Sequence, residues 1–200
     1  MRVQIIGVCG RKRHGKDAVG RVLRDHFGYT CTAFADPLKR VVMSVYDLSW
    51  DQVFGDEAEK EAVIERWGLS PRQIMQRFGT EVGRSVHPDT WIRNTLDNIH
   101  SAVSGRGAWL RNDVQREFEH RWTATPKLWV VTDVRFPNEA EALREAGGQV
   151  WTVVRPSLGA PVDEHTSEKS VDLVVPDARI INDGSLDDLR TRVQAVLGGG

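Results

Sequence analysis

The residues of this chain best suited to chemistry come early. Gly10-Arg11-Lys12-Arg13-His14-Gly15-Lys16-Asp17 spaces two glycines five apart and follows the second with a lysine. That is the pattern of a phosphate-binding loop, whose glycines let backbone N–H groups turn toward an anion and whose lysine bridges the β- and γ-phosphates of a nucleotide. The usual next letter is a serine or threonine that ligates magnesium; here it is a carboxylate, Asp17. The bare spacing arises by chance in roughly one chain in fifteen of this length, so its setting decides. An apolar run, Val3–Cys9, precedes it, and a helical pattern over Asp17–Phe27 follows, with Ala18, Val19, Val22, Leu23 and Phe27 on one side. A strand that ends in a glycine loop and opens a helix directs the positive helix end at a phosphate. Arg11, Lys12, Arg13 and His14 add to the loop's local chemistry, though each cation alone also fits an ordinary solvated turn.

Further groups fall at the ends of apolar runs. Asp36, in Phe34-Ala35-Asp36-Pro37-Leu38-Lys39, would stand beside the phosphate loop if its strand neighbours the first. It could orient an acceptor group or a magnesium-bound water, or it could simply cap the helix that Pro37 opens. Val130-Val131-Thr132-Asp133-Val134-Arg135 is an apolar strand ending in an aspartate, the common magnesium partner of such loops. Arg135, two residues on, suits two-pronged phosphate binding, and an Asp133–Arg135 ion pair is the plainer alternative. Arg72, Gln76 and Thr80 recur every four residues on one helical face, with Arg77, Glu81 and Arg84 on a neighbouring one. Asn182-Asp183-Gly184-Ser185 lies between a strand and a helix, where a turn with a helix cap accounts for it equally well. The six histidines show neither a catalytic triad nor zinc-ligand spacing.

The elements that must position these groups alternate. Strands are expected at Val3–Cys9, Cys31–Ala35, Leu128–Val134, Val150–Val154 and Arg179–Ile181. Helices are expected at Asp17–Phe27, Pro37–Asp47, Ser70–Val86 and Pro137–Ala146, with a last one from Ser185 to Gly198. Such alternation predicts a parallel sheet covered on both faces. Residues 48–127 differ, being polar and mostly helical, and form an insert between the second and third strands. With 200 residues, 40% of them hydrophobic, one domain over 1–200 is expected. A net charge of −1 excludes general electrostatic binding of nucleic acid. The two cysteines, Cys9 and Cys31, show no disulfide framework. No apolar run reaches membrane-spanning length and no leader-like segment precedes the first strand, so a cytoplasmic setting is expected.

In order along the chain, "GRKRHGKD", "FADPLK", "RQIMQRFGTEVGR", "DVRFPNEAEALREAGG", "HTSE" and "INDGSLDDL" resemble the motifs of phage-type deoxynucleoside monophosphate kinases, from Gly7 to Leu189. The resemblance implies an α/β, three-layer P-loop NTPase fold, a mostly parallel five-stranded sheet with the helical insert serving the acceptor. It implies transfer of the γ-phosphoryl group of ATP to a deoxynucleoside monophosphate (dNMP) with Mg²⁺, in the host cytoplasm if phage-encoded. Gly10 to Asp17 would hold ATP, with Asn182 and Gly184 near the adenine. Asp36, Lys39, Arg72, Gln76, Thr80, Glu81, Arg84 and Arg135 would line the acceptor side, and His165 and Glu168 match a further motif. Lys16, Arg135, Asp36 and Asp133 are the expected catalytic set, with Asp17 and Asp133 near the metal. Relatives also carry the aspartate, commonly followed by Ser or Thr; here Ala18 follows, so carboxylates and water are the expected metal ligands. The expected partners are small molecules, and a homodimer is left open. The alternatives are another small-molecule P-loop kinase, of the dephospho-coenzyme A kinase kind, and a non-catalytic ATP-binding module.

Overall fold

The computed structural model describes residues 3–104, 127–158 and 169–199. These divide into two compact units, residues 1–33 with 96–200, and residues 34–95.

The first unit is built on five parallel strands: β1 (Gln4–Cys9), β2 (Thr30–Thr32), β3 (Leu128–Val134), β4 (Gln149–Val154) and β5 (Ala178–Ile181). Their spatial order is β2-β3-β1-β4-β5. β1 is therefore central and covered on both faces, which is why five of its six residues are buried instead of every second one. Its even positions, Ile6 and Val8, join Val130, Trp151, Val153 and Ile180 under two helices, α1 (Lys16–Phe27) and the C-terminal Leu186–Gly198. Those helices supply Val19, Val22, Leu23, Leu189 and Val193. Each such fully buried side chain contributes about 1.5–3 kcal/mol. The opposite face carries the helix Pro137–Glu145, whose Leu143 Cδ1 lies 2.5 Å from where a Cβ on Gly7 would stand. The result is three layers, helix on sheet on helix, as expected.

Two details depart from the sequence expectations. The second strand is short, Thr30–Thr32 in place of Cys31–Ala35, because the next helix, α2 (Ala35–Tyr46), already starts at Ala35. Pro37 then sits in the first turn, where a missing N–H leaves no bond unmade. Asp36 is accordingly inside the first turn, and the N-cap position belongs to Phe34. In addition, β2 pairs with β3, which separates it from β1.

The second unit, residues 34–95, starts with α2 and so takes in one helix more than the expected insert. It continues with α3 (Trp50–Phe54), α4 (Glu57–Glu61) and α5 (Pro71–Arg77), then a π-helical turn over Phe78–Gly83, then α6 (Arg84–Val86). The helix α7 (Thr90–Val103) begins here and ends in the first unit. Leu38, Val42, Leu48, Val53 and Ile74 form this unit's own core. Ser49 and Ser70 start α3 and α5 with reciprocal capping boxes to Gln52 and Gln73, and Pro71 follows as the sequence predicts. After β3 the numbering continues with α8 (Pro137–Glu145) and α9 (Leu186–Gly198). No described helix is long and apolar enough to cross a membrane.

Candidate functional site

The phosphate loop leaves β1 at its carboxyl end and enters α1 at Lys16. Gly10 has φ +145° and Gly15 φ +99°, backbone states that side chains disfavour. Space is equally restrictive: a Cβ on Gly10 would lie 2.6 Å from the Val153 carbonyl oxygen, and one on Gly15 would lie 2.2 Å from Asn182 Nδ2. Between them, Arg13 also takes a positive φ of 67°. The Lys16 ammonium folds back across the loop and donates to the carbonyls of Gly10 at 2.7 Å and Arg11 at 2.9 Å. The loop is also braced from outside. Asn182 Nδ2, one residue past β5, donates to the His14 carbonyl at 2.9 Å, while His14 Nδ1 lies 3.3 Å from the Val153 carbonyl oxygen. That second bond is donated by the Nδ1-protonated tautomer. Arg11 is engaged in a two-pronged pair with Asp172. Just before the loop, burial pushes the Cys9 thiol pKa up, so it remains a neutral packing residue.

The loop borders a cleft of about 370 Å³, lined by Arg13, Gly15, Lys16 and Asp17, by Ala18 and Arg21 of α1, and by Arg155, Asn182, Gly184 and Leu186. Four cationic side chains meet one carboxylate there, which suits a polyphosphate. The glycine cradle and the carboxylate at the start of α1 fit a magnesium nucleotide. Among the described residues no three His, Cys, Asp or Glu side chains assemble a metal cage. Magnesium characteristically uses one or two carboxylates plus substrate phosphates and water, and Asp17 offers the first. Arg21, Arg155 and Leu186 went unmarked in the sequence. Arg155 directly follows β4, at the sheet's carboxyl end where ligands bind, and that position is the signal for it.

Asp133 is the penultimate residue of β3, whose Val134 is in register with Cys9 of β1. It therefore stands at the edge from which the phosphate loop departs. Arg135 lies one residue past the strand. Its backbone N–H donates to Glu139 Oε2 at 2.7 Å, and that of Phe136 donates to the same oxygen at 3.0 Å. Glu139, only 4% exposed, is thus the internal anchor of the Arg135 turn.

The other acceptor-side candidates occupy the second unit. Asp36 and Lys39 form an ion pair at 3.5 Å in the first turns of α2. Since β3 lies between β1 and β2, the adjacency that would set Asp36 beside the phosphate loop through its strand does not exist. Arg72 is clamped by Glu61 at 2.6 Å and Glu57 at 2.8 Å, tying α5 to α4. Gln76, Thr80 and Arg84 are half-buried, and Glu81 is exposed. His165 and Glu168 lie outside the described residues.

The family profile described as deoxynucleotide monophosphate kinase matches residues 52–193. A protein of Acanthamoeba polyphaga mimivirus, provisionally named a deoxynucleotide monophosphate kinase, is 31% identical over 188 residues, 90% of this chain and 91% of the relative. The deoxynucleotide monophosphate kinase of Escherichia phage RB69 is 28% identical over 149 residues, 70% of this chain but only 50% of the relative. Among solved structures, shikimate kinase from Aquifex aeolicus aligns at 14% identity with a TM-score of 0.44, over 98% of this chain and 96% of the other. The chain belongs to the deoxynucleotide monophosphate kinase family.

Proposed function

We propose that this chain transfers the γ-phosphoryl group of ATP to the phosphate of a deoxynucleoside 5′-monophosphate. The bond from the γ-phosphorus to its β-bridging oxygen breaks as an acceptor phosphate oxygen attacks in line, leaving ADP and the deoxynucleoside diphosphate. The observation that carries this reading is the glycine-framed loop, with Lys16 folded across it, beside a cleft in which four cations face one carboxylate.

The acceptor's phosphate is largely dianionic near neutral pH, its second pKa being about 6. It attacks without a strong general base, which is consistent with a site rich in cations. The chain's task is positioning and charge stabilisation. Lys16 would leave the Gly10 and Arg11 carbonyls for the β- and γ-phosphates, and Gly10 to Gly15 would wrap them with backbone N–H groups. Asn182, by holding the His14 carbonyl, keeps the loop shaped before nucleotide arrives. Asp17 and Asp133 would hold Mg²⁺, directly or through water; when bound, the ion neutralises charge on the β- and γ-oxygens. Arg135, on the Glu139-anchored turn, would grip the phosphoryl group in flight. Asp36 and Lys39 of α2, with Gln76, Thr80, Glu81 and Arg84, would serve the acceptor, and the clamped Arg72 would stiffen α5, which carries Gln76 and leads into the turn with Thr80 and Glu81.

A coupled assay of ADP release from Mg-ATP, with dTMP, dGMP, dCMP, dAMP and dephospho-coenzyme A as acceptors, tests the reading. Turnover with at least one deoxynucleotide is expected, and Lys16→Ala lowers it by at least about a hundredfold. Phosphorylation of dephospho-coenzyme A alone, or tight ATP binding with no transfer to any acceptor, overturns the proposal.

A further inference from the structure

The π-helical turn at Phe78–Gly83 sits in the middle of the arginine-bearing helix, and it changes which residues share a face. A straight α-helix advances about 100° per residue, so residues four apart drift by about 40° at each step. On that count Arg84 would stand about 120° around the axis from Arg72. A π turn, bonded i to i+5, advances only about 80° per residue. Carried through Phe78–Gly83, it takes the drift back, and Gln76, Thr80 and Arg84 all return to within about 40° of Arg72.

Burial follows the π count. Pro71, Ile74, Gly79 and Gly83 are buried and Gln73, Arg77, Glu81 and Ser85 are exposed, as that count requires; exposed Val82, which the count turns to Ile74's side, is the exception. Arg72, Gln76, Thr80 and Arg84 are all intermediate, one flank between core and solvent. A continuous α-helix would instead have rotated Gly83 out of the core.

The turn is locked by the first residues of α7. The Trp91 indole N–H donates to the Gly79 carbonyl at 2.9 Å, and the Thr90 hydroxyl is shared between the carbonyls of Gly83 at 2.9 Å and His87 at 2.8 Å. The Trp91 ring lies so close that a Cβ on Gly83 would come within 2.2 Å of it, and Leu38 would lie 2.9 Å from one on Gly79. Glycine at both places is what lets these side chains reach the turn.

We propose that this π turn is a positioning device for the acceptor nucleotide and that Trp91 is the positioning residue that holds it. The inference rests on the reading of this helix as acceptor-binding. Gln76 to Arg84 spans about 10 Å along the axis, comparable to the distance from base edge to phosphate in a mononucleotide. The line therefore offers an amide at one end, a hydroxyl between, and a guanidinium for the phosphate at the other.

Trp91→Phe keeps an aromatic six-membered ring but removes the five-membered part of the indole with its N–H, so the bond to the Gly79 carbonyl is lost together with some packing against Gly83. It is expected to raise KM for the deoxynucleotide about fivefold while leaving kcat and KM for ATP within about twofold. Deleting Val82 removes the residue in excess of an α-helical path and is expected to weaken deoxynucleotide binding, by calorimetry, on the order of tenfold or more, with ATP affinity retained. Should the deletion fail to give a cooperative melt, Trp91→Phe alone decides. An unchanged deoxynucleotide KM in Trp91→Phe, or an equal rise in KM for ATP, overturns the positioning role. Wild-type turnover is the control: its absence with every deoxynucleotide overturns the functional reading instead.

Discussion

Replacing Gly15 with alanine probes the phosphate loop at its tightest point. Two costs add. The backbone at φ +99° lies on the left-handed side, where a Cβ costs about 1–2 kcal/mol. The new methyl would also stand 2.2 Å from Asn182 Nδ2, so that amide must retreat and release the His14 carbonyl, a bond whose loss costs about 1 kcal/mol. The sum is about 2–3 kcal/mol, which for a chain of this size lowers Tm by about 4–12 °C. The same substitution made on Asn182→Ala meets no amide, so there only the backbone cost remains. A double-mutant cycle read by urea or thermal melts should therefore give a coupling of about 1 kcal/mol between positions 15 and 182. Calorimetric ATP binding should weaken in Gly15→Ala in both backgrounds, because the altered loop no longer presents its N–H groups. An equal stability cost in the two backgrounds would refute the strut role of Asn182, and unimpaired ATP binding would refute the cradle.

Other expectations are simpler to state. Arg155→Ala, an exposed cleft residue, should raise KM for ATP about tenfold with little change in Tm, as loss of one charge-assisted phosphate contact would. Glu139→Gln keeps the shape but not the charge that accepts two backbone N–H groups, so Tm should fall and kcat should drop as Arg135 loses its anchor; an unchanged kcat would separate Arg135 from the reaction. Asp188, whose carboxylate accepts from the Ser185 hydroxyl and backbone N–H, is held below the usual carboxylate range by those bonds. Its stabilisation is therefore complete above its unfolded pKa, about 3.9, and is lost as pH falls through the lower native value. Asp188→Asn should flatten the acid limb of the stability profile below about pH 4, and an unaltered limb would contradict the capping role.

How much of this was legible in the sequence varies with the physics involved. The strand Leu128–Val134 and the pair Ser70-Pro71 are local statements, of β-branched burial and of capping, and both stand as expected. The phosphate loop was legible because glycine spacing encodes backbone geometry directly. Sheet order is not local: nothing near Asp36 indicates that β3 intervenes between its strand and β1. Arg155 was as legible as Asp133 by the same criterion, since it directly follows the expected strand Val150–Val154; what the sequence does not show is that its side chain lines the same cleft as Lys16 and Arg21. The π turn was invisible for another reason. Every-fourth spacing looks the same on paper for a helix of 3.6 residues per turn and for a wider one, and only the bonding of the folded turn and the burial of Gly83 distinguish them. Glu139 falls in the first turn of the expected helix Pro137–Ala146, an ordinary place for an acid, yet its carboxylate is buried against two N–H donors.

The central place of β1 bears on how the chain comes off the ribosome. Both of its ladder partners, β3 and β4, lie more than a hundred residues downstream, and β2 offers it no bonds. At about 5–20 residues per second, some 6–25 s separate the synthesis of Cys9 from that of Val134. During that interval β1 is an apolar segment with two open edges, a template for pairing with other chains. About half of the residues that come between belong to the second unit, with its own core, which is able to form meanwhile. Nucleotide cannot protect the nascent loop in this period, because the strand edges that frame it do not yet exist. High-level expression should consequently favour aggregation before residue 134 and depend on chaperone capacity more than on the stability of the finished fold.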